Sequence, residues 1–205
     1  MNVRVITPPQ PFVTPADIAG SHQPDDAGIA ALIAAATEEI DGYTGWLGRC
    51  LAPQLVEWSG WLCFHQWRLP CGPVLEIKSV EIESSDGVIS LIDAGSYRLR
   101  DDHLLVPAGA QWALSPVHRV QYWAGYGKRN AADASKWDEQ VPARVKQAVI
   151  MSVQHLKALS AENLFLRSED VEGVGSRTYT VSEQAGAIIR DTSKRLLSGL
   201  KVPRI

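Results

Sequence analysis

Between Ile29 and Tyr43 the apolar residues Ile29, Leu32, Ile33, Ala36, Ile40 and Tyr43 return every three or four positions, the stripe of a helix with one buried face. Asp25 or Asp26 suits its N-cap, because a short acidic side chain accepts from the open N–H groups of a first helical turn. Gly42 and Gly45 end it. From Leu51 to Trp123 the period shortens to two. The runs LVEWSGWLCF, HQWRL, VLEIKSVEIE, VISLI, SYRLR, HLLV and HRVQYWA are separated by Pro, Gly, Asp and Ser, which predicts antiparallel strands with tight connections. In VLEIKSVEI the apolar frame moves from Leu75 and Ile77 to Val80 and Ile82, so a bulge is expected near Lys78 and Ser79. Asp101 and Asp102 read as the hairpin turn between SYRLR and HLLV.

Helical spacing returns at Val141, with Pro142 at the first helical position and Val145, Ala148, Val149, Ser152, Leu156 and Leu159 along one face. Residues 163–180 mix charges with glycines and predict a mobile loop with a short strand at RTYTV. Ser182 caps a last helix whose Ile188, Ile189, Leu196 and Leu197 point inward. The first 24 residues, punctuated by Pro8, Pro9, Pro11, Pro15 and Pro24, predict an extended arm. A lone amphipathic helix cannot bury its stripe, so the first and last helices should pack together. The predicted fold is of the α+β class, an antiparallel helical bundle with an inserted small antiparallel β unit. Residues 25–50 and 141–200 form its helical core, 51–127 the β unit and 201–205 a tail.

Composition narrows the function classes. The chain has 205 residues, 45% hydrophobic and 21% charged, with a net charge of −3, which does not favour general nucleic-acid binding. The charge is unevenly spread, with 10 Lys and Arg against 6 Asp and Glu in residues 141–205, and 10 against 17 in residues 1–140. The N-terminal MNVRVITPPQPF lacks a basic stretch followed by an apolar one, and IAALIAAA is too short to span a bilayer. A protein made in a reducing cytoplasm without disulfides or membrane contact is expected. Cys63, His65 and Cys71 are the nearest approach to metal ligands, but a structural zinc needs a second close pair and none exists. Glu38, Glu39 and the DDH at 101–103 are sequence neighbours that diverge rather than converge on a pocket. The glycines of AGYGKRN lack phosphate-loop spacing. No catalytic residue, metal or cofactor is predicted.

Seven tryptophans remain, too many for so small a sheet to enclose, and exposed aromatics are common interface anchors. The chain ALIAAATEEIDGYTG, then strands closing on VQYWAGYG, then VPARVKQAVIMSVQHLKALSAEN, resembles the head–tail connector proteins of tailed bacteriophages and prophages, also called adaptors or head-completion proteins. The likeness spans about residues 13–200. Its specific marks are Tyr43-Thr44-Gly45 at a helix end, the close at 120–127, and the Val141-Pro142 helix start with Ala148 and His155. Two features depart from the pattern: LKALSAEN replaces an aromatic-rich run after His155, and the β region is longer, with extra tryptophans.

The resemblance implies a structural virion protein that catalyses nothing. It would form a dodecameric ring beneath the portal protein, touch neighbouring copies of itself, extend a channel for genomic DNA and dock a tail or stopper protein. It would assemble in the host cytoplasm and end at the head–tail interface. Under it Arg190, Lys194, Arg195, Lys201 and Arg204 become portal-binding candidates, and Trp58, Trp61, Trp123 and Tyr126 candidates for ring or tail contacts. AGYG becomes a crossover where the chain leaves the sheet. The rival reading is a DNA-binding accessory protein that uses the basic C-terminal helix.

Overall fold

The computed structural model describes residues 2–61, 66–106, 110, 117–161, 168–171, 175–178 and 183–202. The chain divides into two compact units, one made of Met1–Phe12, Ile40–Pro142 and Lys201–Ile205, the other of Val13–Glu39 and Ala143–Leu200.

The first unit is built on a five-stranded antiparallel sheet. Its strands are β1 (Asn2–Thr7), β2 (Gln54–Gly60), β4 (Val74–Glu83), β5 (Ile89–Leu91) and β8 (Val117–Ala124), in the spatial order β1-β2-β8-β4-β5. A three-stranded sheet of β3 (Gln66–Arg68), β7 (His103–Leu105) and β6 (Arg98–Arg100) and a hairpin of β9 (Gly127–Arg129) and β10 (Trp137–Glu139) complete it. Strand β8 shows why the main sheet has two unlike faces. His118, Val120, Tyr122 and Ala124 are buried, whereas Arg119, Gln121 and Trp123 between them stay partly exposed. On the buried face Val120 and Tyr122 join Val56, Trp58, Val80 and Leu104 in one apolar core. The Tyr122 hydroxyl, sealed in that core, donates to the Pro70 carbonyl at 2.7 Å, so its burial leaves no donor unmatched.

Local expectations hold in this unit. The β4–β8 register slips between Ile77 and Ser79, where the apolar frame changes, and again between Val74 and Glu76. Asp101 and Asp102 join β6 to β7 with φ of 49° and 64°. A two-residue hairpin turn needs positive φ at both positions, and aspartate tolerates this better than most side chains.

The second unit holds three helices: α1 (Ala27–Ile40, its last residue in the first unit), α2 (Ala143–Ala161) and α3 (Glu183–Leu197). Asp26 caps α1, its carboxylate accepting from the Ile29 N–H at 3.0 Å. Ile29, Ile33 and Ala36 are buried, as are Val145, Ala148, Val149 and Val153 of α2. A hairpin of β11 (Ser168–Val171) and β12 (Gly175–Thr178) lies in the stretch expected as a loop, of which 163–167, 172–174 and 179–180 fall outside the described residues. Ser182 falls outside them too.

Four expectations are corrected. Strands predominate, so the chain is not an antiparallel helical bundle with a small β insertion. The β region is larger than expected because NVRVIT, taken as an arm, alternates apolar and polar residues and supplies the edge partner of β2. The helices in close contact are α2 and α3, not the first and the last. Ile188 of α3, expected inward, is 65% exposed, while Leu197 one helical face away is buried.

Candidate interface surfaces

Where β8 runs into AGYG, the backbone presses against the segments that precede β2 and β4. The Gly125 N–H donates to the Pro73 carbonyl at 2.9 Å and the Tyr126 N–H to the Leu51 carbonyl at 2.7 Å. Gly125 has a φ of 124°, and a Cβ there would lie 2.3 Å from the Ala52 carbonyl oxygen. At Gly127 a Cβ would lie 2.4 Å from Pro53 Cγ. Both glycines thus serve a close crossing of two chain segments rather than a ligand cradle. Between them Tyr126 accepts a 2.7 Å hydrogen bond at its hydroxyl from Arg49 Nη1, and its carbonyl accepts from the Gln140 N–H at 2.8 Å. Tyr126 is half-buried and held on both sides.

The tryptophan candidates separate by environment. Trp58 is 0% exposed and packs on Trp67 with ring centroids 5.2 Å apart. It is a core residue with no surface to offer a partner, which removes it from the interface set. Trp61, directly after β2, is 65% exposed. Trp123 sits on the polar face of β8, with its ring 6.2 Å from that of Trp137. The Arg129 guanidinium lies 4.2 Å from the Trp137 ring centroid and pairs with Glu76, so the cluster links β4, β8, β9 and β10. Trp137 and Arg129 are register partners across a hairpin that the sequence did not announce, because the polar run KRNAADASKWDEQ hides two three-residue strands.

On the same polar face, Glu57 of β2 accepts from Arg4 Nε at 2.8 Å and from Gln121 Nε2 at 3.0 Å, and Arg119 pairs with Glu83 at 2.5 Å. Burial pushes the Glu57 carboxyl up, but the hydrogen bonds of Arg4 and Gln121 and the nearby cations outweigh this and leave it below the usual range. These side chains form a charged ladder across four adjacent strands.

The cation candidates are distributed over both units. Lys194 and Arg195 are exposed in the last turn of α3, where cations also suit the negative end of the helix dipole. Lys201 belongs to the first unit, and its ammonium lies 4.7 Å from the Trp46 ring centroid. The Arg190 side chain and Arg204 lie outside the described residues. So do Cys63 and His65; Cys71 is buried instead beside Cys50, whose N–H donates to the Cys71 carbonyl at 3.0 Å. The Cys50 thiol is pushed well up, first by its hydrogen bond with the Cys71 thiol and then by burial. Among the described residues no group of His, Cys, Asp and Glu has the arrangement to hold a metal ion, and no helix is long and apolar enough to cross a membrane.

The sequence matches no family model and no curated protein. The structure, however, aligns end to end with solved chains. One belongs to the neck of an empty GTA particle computed with C6 symmetry, at a TM-score of 0.65 and 19% identity, covering 100% of this chain and 97% of the other. A second belongs to the neck of the native GTA particle computed with C12 symmetry, at 0.64 and 16% with the same coverage. A third comes from the virion of the native gene transfer agent particle, at 0.60 and 17%. The chain shares their fold. At 16–19% identity the likeness is one of fold and carries no individual side-chain contact.

Proposed function

We propose that this chain is a structural protein of the neck of a phage-like particle, a head–tail connector that forms a ring beneath the portal. The observation that carries this is the fold likeness to neck chains over essentially the whole length of both proteins. It agrees with the connector resemblance of the sequence, which rests on other grounds, the motifs at 43–45, 120–127 and 141–142. The twelvefold symmetry stated for one of those necks is the reason to propose a dodecamer.

In this reading function is geometric. The ring extends the DNA channel, its exposed aromatics and sheet edges meet neighbouring copies or a tail or stopper protein, and the exposed cations Lys194 and Arg195 steer it to an acidic portal rim. An acidic balance over residues 1–140 suits a wall that DNA passes without sticking, since a basic lumen would bind phosphate. The reading assigns no reaction to the protein. Electron microscopy of the purified protein mixed with the portal of its own particle tests it: rings capping the portal are expected. Salt-dependent DNA binding without portal binding would favour the accessory DNA-binding reading, for which the exposed cations at the end of α3 are the supporting feature.

A further inference from the structure

Among the described residues, five of the large apolar side chains left exposed lie on or beside the two outermost strands of one sheet. They are Val5 and Ile6 on β1, and Val88, Ile89 and Leu91 at β5, with Leu91 71% exposed. Natural sheets guard their edges with charge, proline or a bulge. Strand β1 has a bulge at Ile6, whereas β5 is guarded by its three-residue length alone, with no charge, proline or bulge within Ile89–Leu91. The backbone of β5 is also oriented for a partner. The Val88 carbonyl accepts from the Ser84 N–H at 3.0 Å, and the Ile92 N–H donates to the Val80 carbonyl at 2.8 Å, so both flanking residues bond inward. By the two-residue period of a strand, the N–H and C=O groups of Ile89 and Leu91 point outward, to the open side of the sheet.

We infer that the β5 edge of one copy joins the β1 edge of a second copy, so that the sheets continue from subunit to subunit. This rests on the ring reading above and says which surfaces close the ring. Two different edges on opposite sides of one sheet give a head-to-tail contact, which excludes a two-fold dimer and generates a ring when its rotation closes, as the ring reading requires. Direction agrees. Four successive antiparallel pairings from β1 to β5 leave these two strands running the same way. A small rotation between neighbours then sets β5 beside the next β1 as a parallel pair. Through the registers Leu91–Glu81–Arg119–Ser59–Asn2, Ile89 and Leu91 share a sheet face with Asn2 and Arg4. On that face Glu81 and Glu83 of β4 lie one strand inward of β5, and across the joint it would meet Asn2 and Arg4 of the neighbour, Arg4 being paired with Glu57 of its own sheet.

The test uses the full chain in a Cys63→Ser background, with Ile6→Cys and Leu91→Cys introduced together or singly and treated with a short bis-maleimide at rising protein concentration. The double variant should give a ladder extending beyond dimer, an equal mixture of the single variants a dimer only, and each single variant alone no cross-link. A dimer from Leu91→Cys alone means two β5 edges meet each other and overturns the inference. A preparation that light scattering finds assembled but that yields no ladder overturns the edge pairing and leaves the ring reading standing; absence of assembly and ladder even with the portal of its own particle added overturns the ring reading and the pairing with it. Leu91→Lys, at an exposed site that leaves the fold intact, should raise the concentration for half-assembly by about tenfold.

Discussion

Lys201 stacks its ammonium 4.7 Å from the centre of the Trp46 ring, and the next residue, Val202, donates its N–H to the Leu47 carbonyl at 2.9 Å. The start of the C-terminal tail is therefore fastened to the turn that follows α1 rather than free. Leu200, just before it, is buried. Truncation from Gly199 would remove these anchors along with the cations, so it does not isolate charge. The sharper variant is Lys194→Glu with Arg195→Glu, both exposed. On the proposed portal contact, this variant should abolish binding to the portal at moderate salt while costing about 1 kcal/mol of stability or less, the usual scale for helix-terminal charges. Binding by surface plasmon resonance beside a urea melt separates the two effects; unchanged binding removes the steering role.

Trp58 and Trp61 are three residues apart and should behave oppositely. Trp58→Ala empties a fully buried site and should cost about 3–5 kcal/mol in chemical denaturation. Trp61→Ala should change stability by no more than about 0.5 kcal/mol and weaken assembly measured by light scattering. Equal effects of the two on stability would refute the division into core and surface.

Gly125→Ala should destabilise the fold by at least about 1–3 kcal/mol, because it combines a φ of 124° with a Cβ 2.3 Å from the Ala52 carbonyl. The companion Gly42→Ala has a φ of 76° but meets nothing within 4 Å, so it carries the backbone strain without the clash and should cost less. Thermal melts of the pair measure the contribution of close approach.

Asp41 predicts a pH effect. Burial raises its carboxyl, and bonds from the Leu51 N–H (2.6 Å), Gln54 Nε2 (3.0 Å) and the Gly42 N–H only partly offset this. The folded state therefore holds the proton more tightly than the unfolded state, where aspartate titrates near about 3.9. Between that value and the raised one, the unfolded chain binds fewer protons, so stability falls as pH rises. Asp41→Asn cannot ionise. Its stability relative to the natural protein should improve steadily with pH through that window in denaturant titrations; a difference independent of pH would show that burial is not perturbing the group.

Periodicity alone determined the elements whose pattern is local. The stripe from Ile29 to Ile40, the Asp26 cap, the slip at Ile77–Ser79 and the Asp101–Asp102 turn each depend on a few neighbouring residues whose backbone preferences agree. Whether NVRVIT is an arm or an edge strand depends on the unpaired backbone of β2, some fifty residues away, and only the tertiary structure decided it. The same holds for Trp58 and Trp61: both are tryptophans on one β run, and the packing of Trp58 on Trp67 of a second sheet, in the core that also holds Tyr122, is what separates it from the exposed Trp61. The cations at 190–204 were visible as a cluster in sequence, yet charge counts carry no information on aromatic partners, so the capture of Lys201 by Trp46 was not. Pairing between distant segments is a property of three-dimensional neighbours, and it is those neighbours that decide which apolar residues are left at the open edges of the sheet.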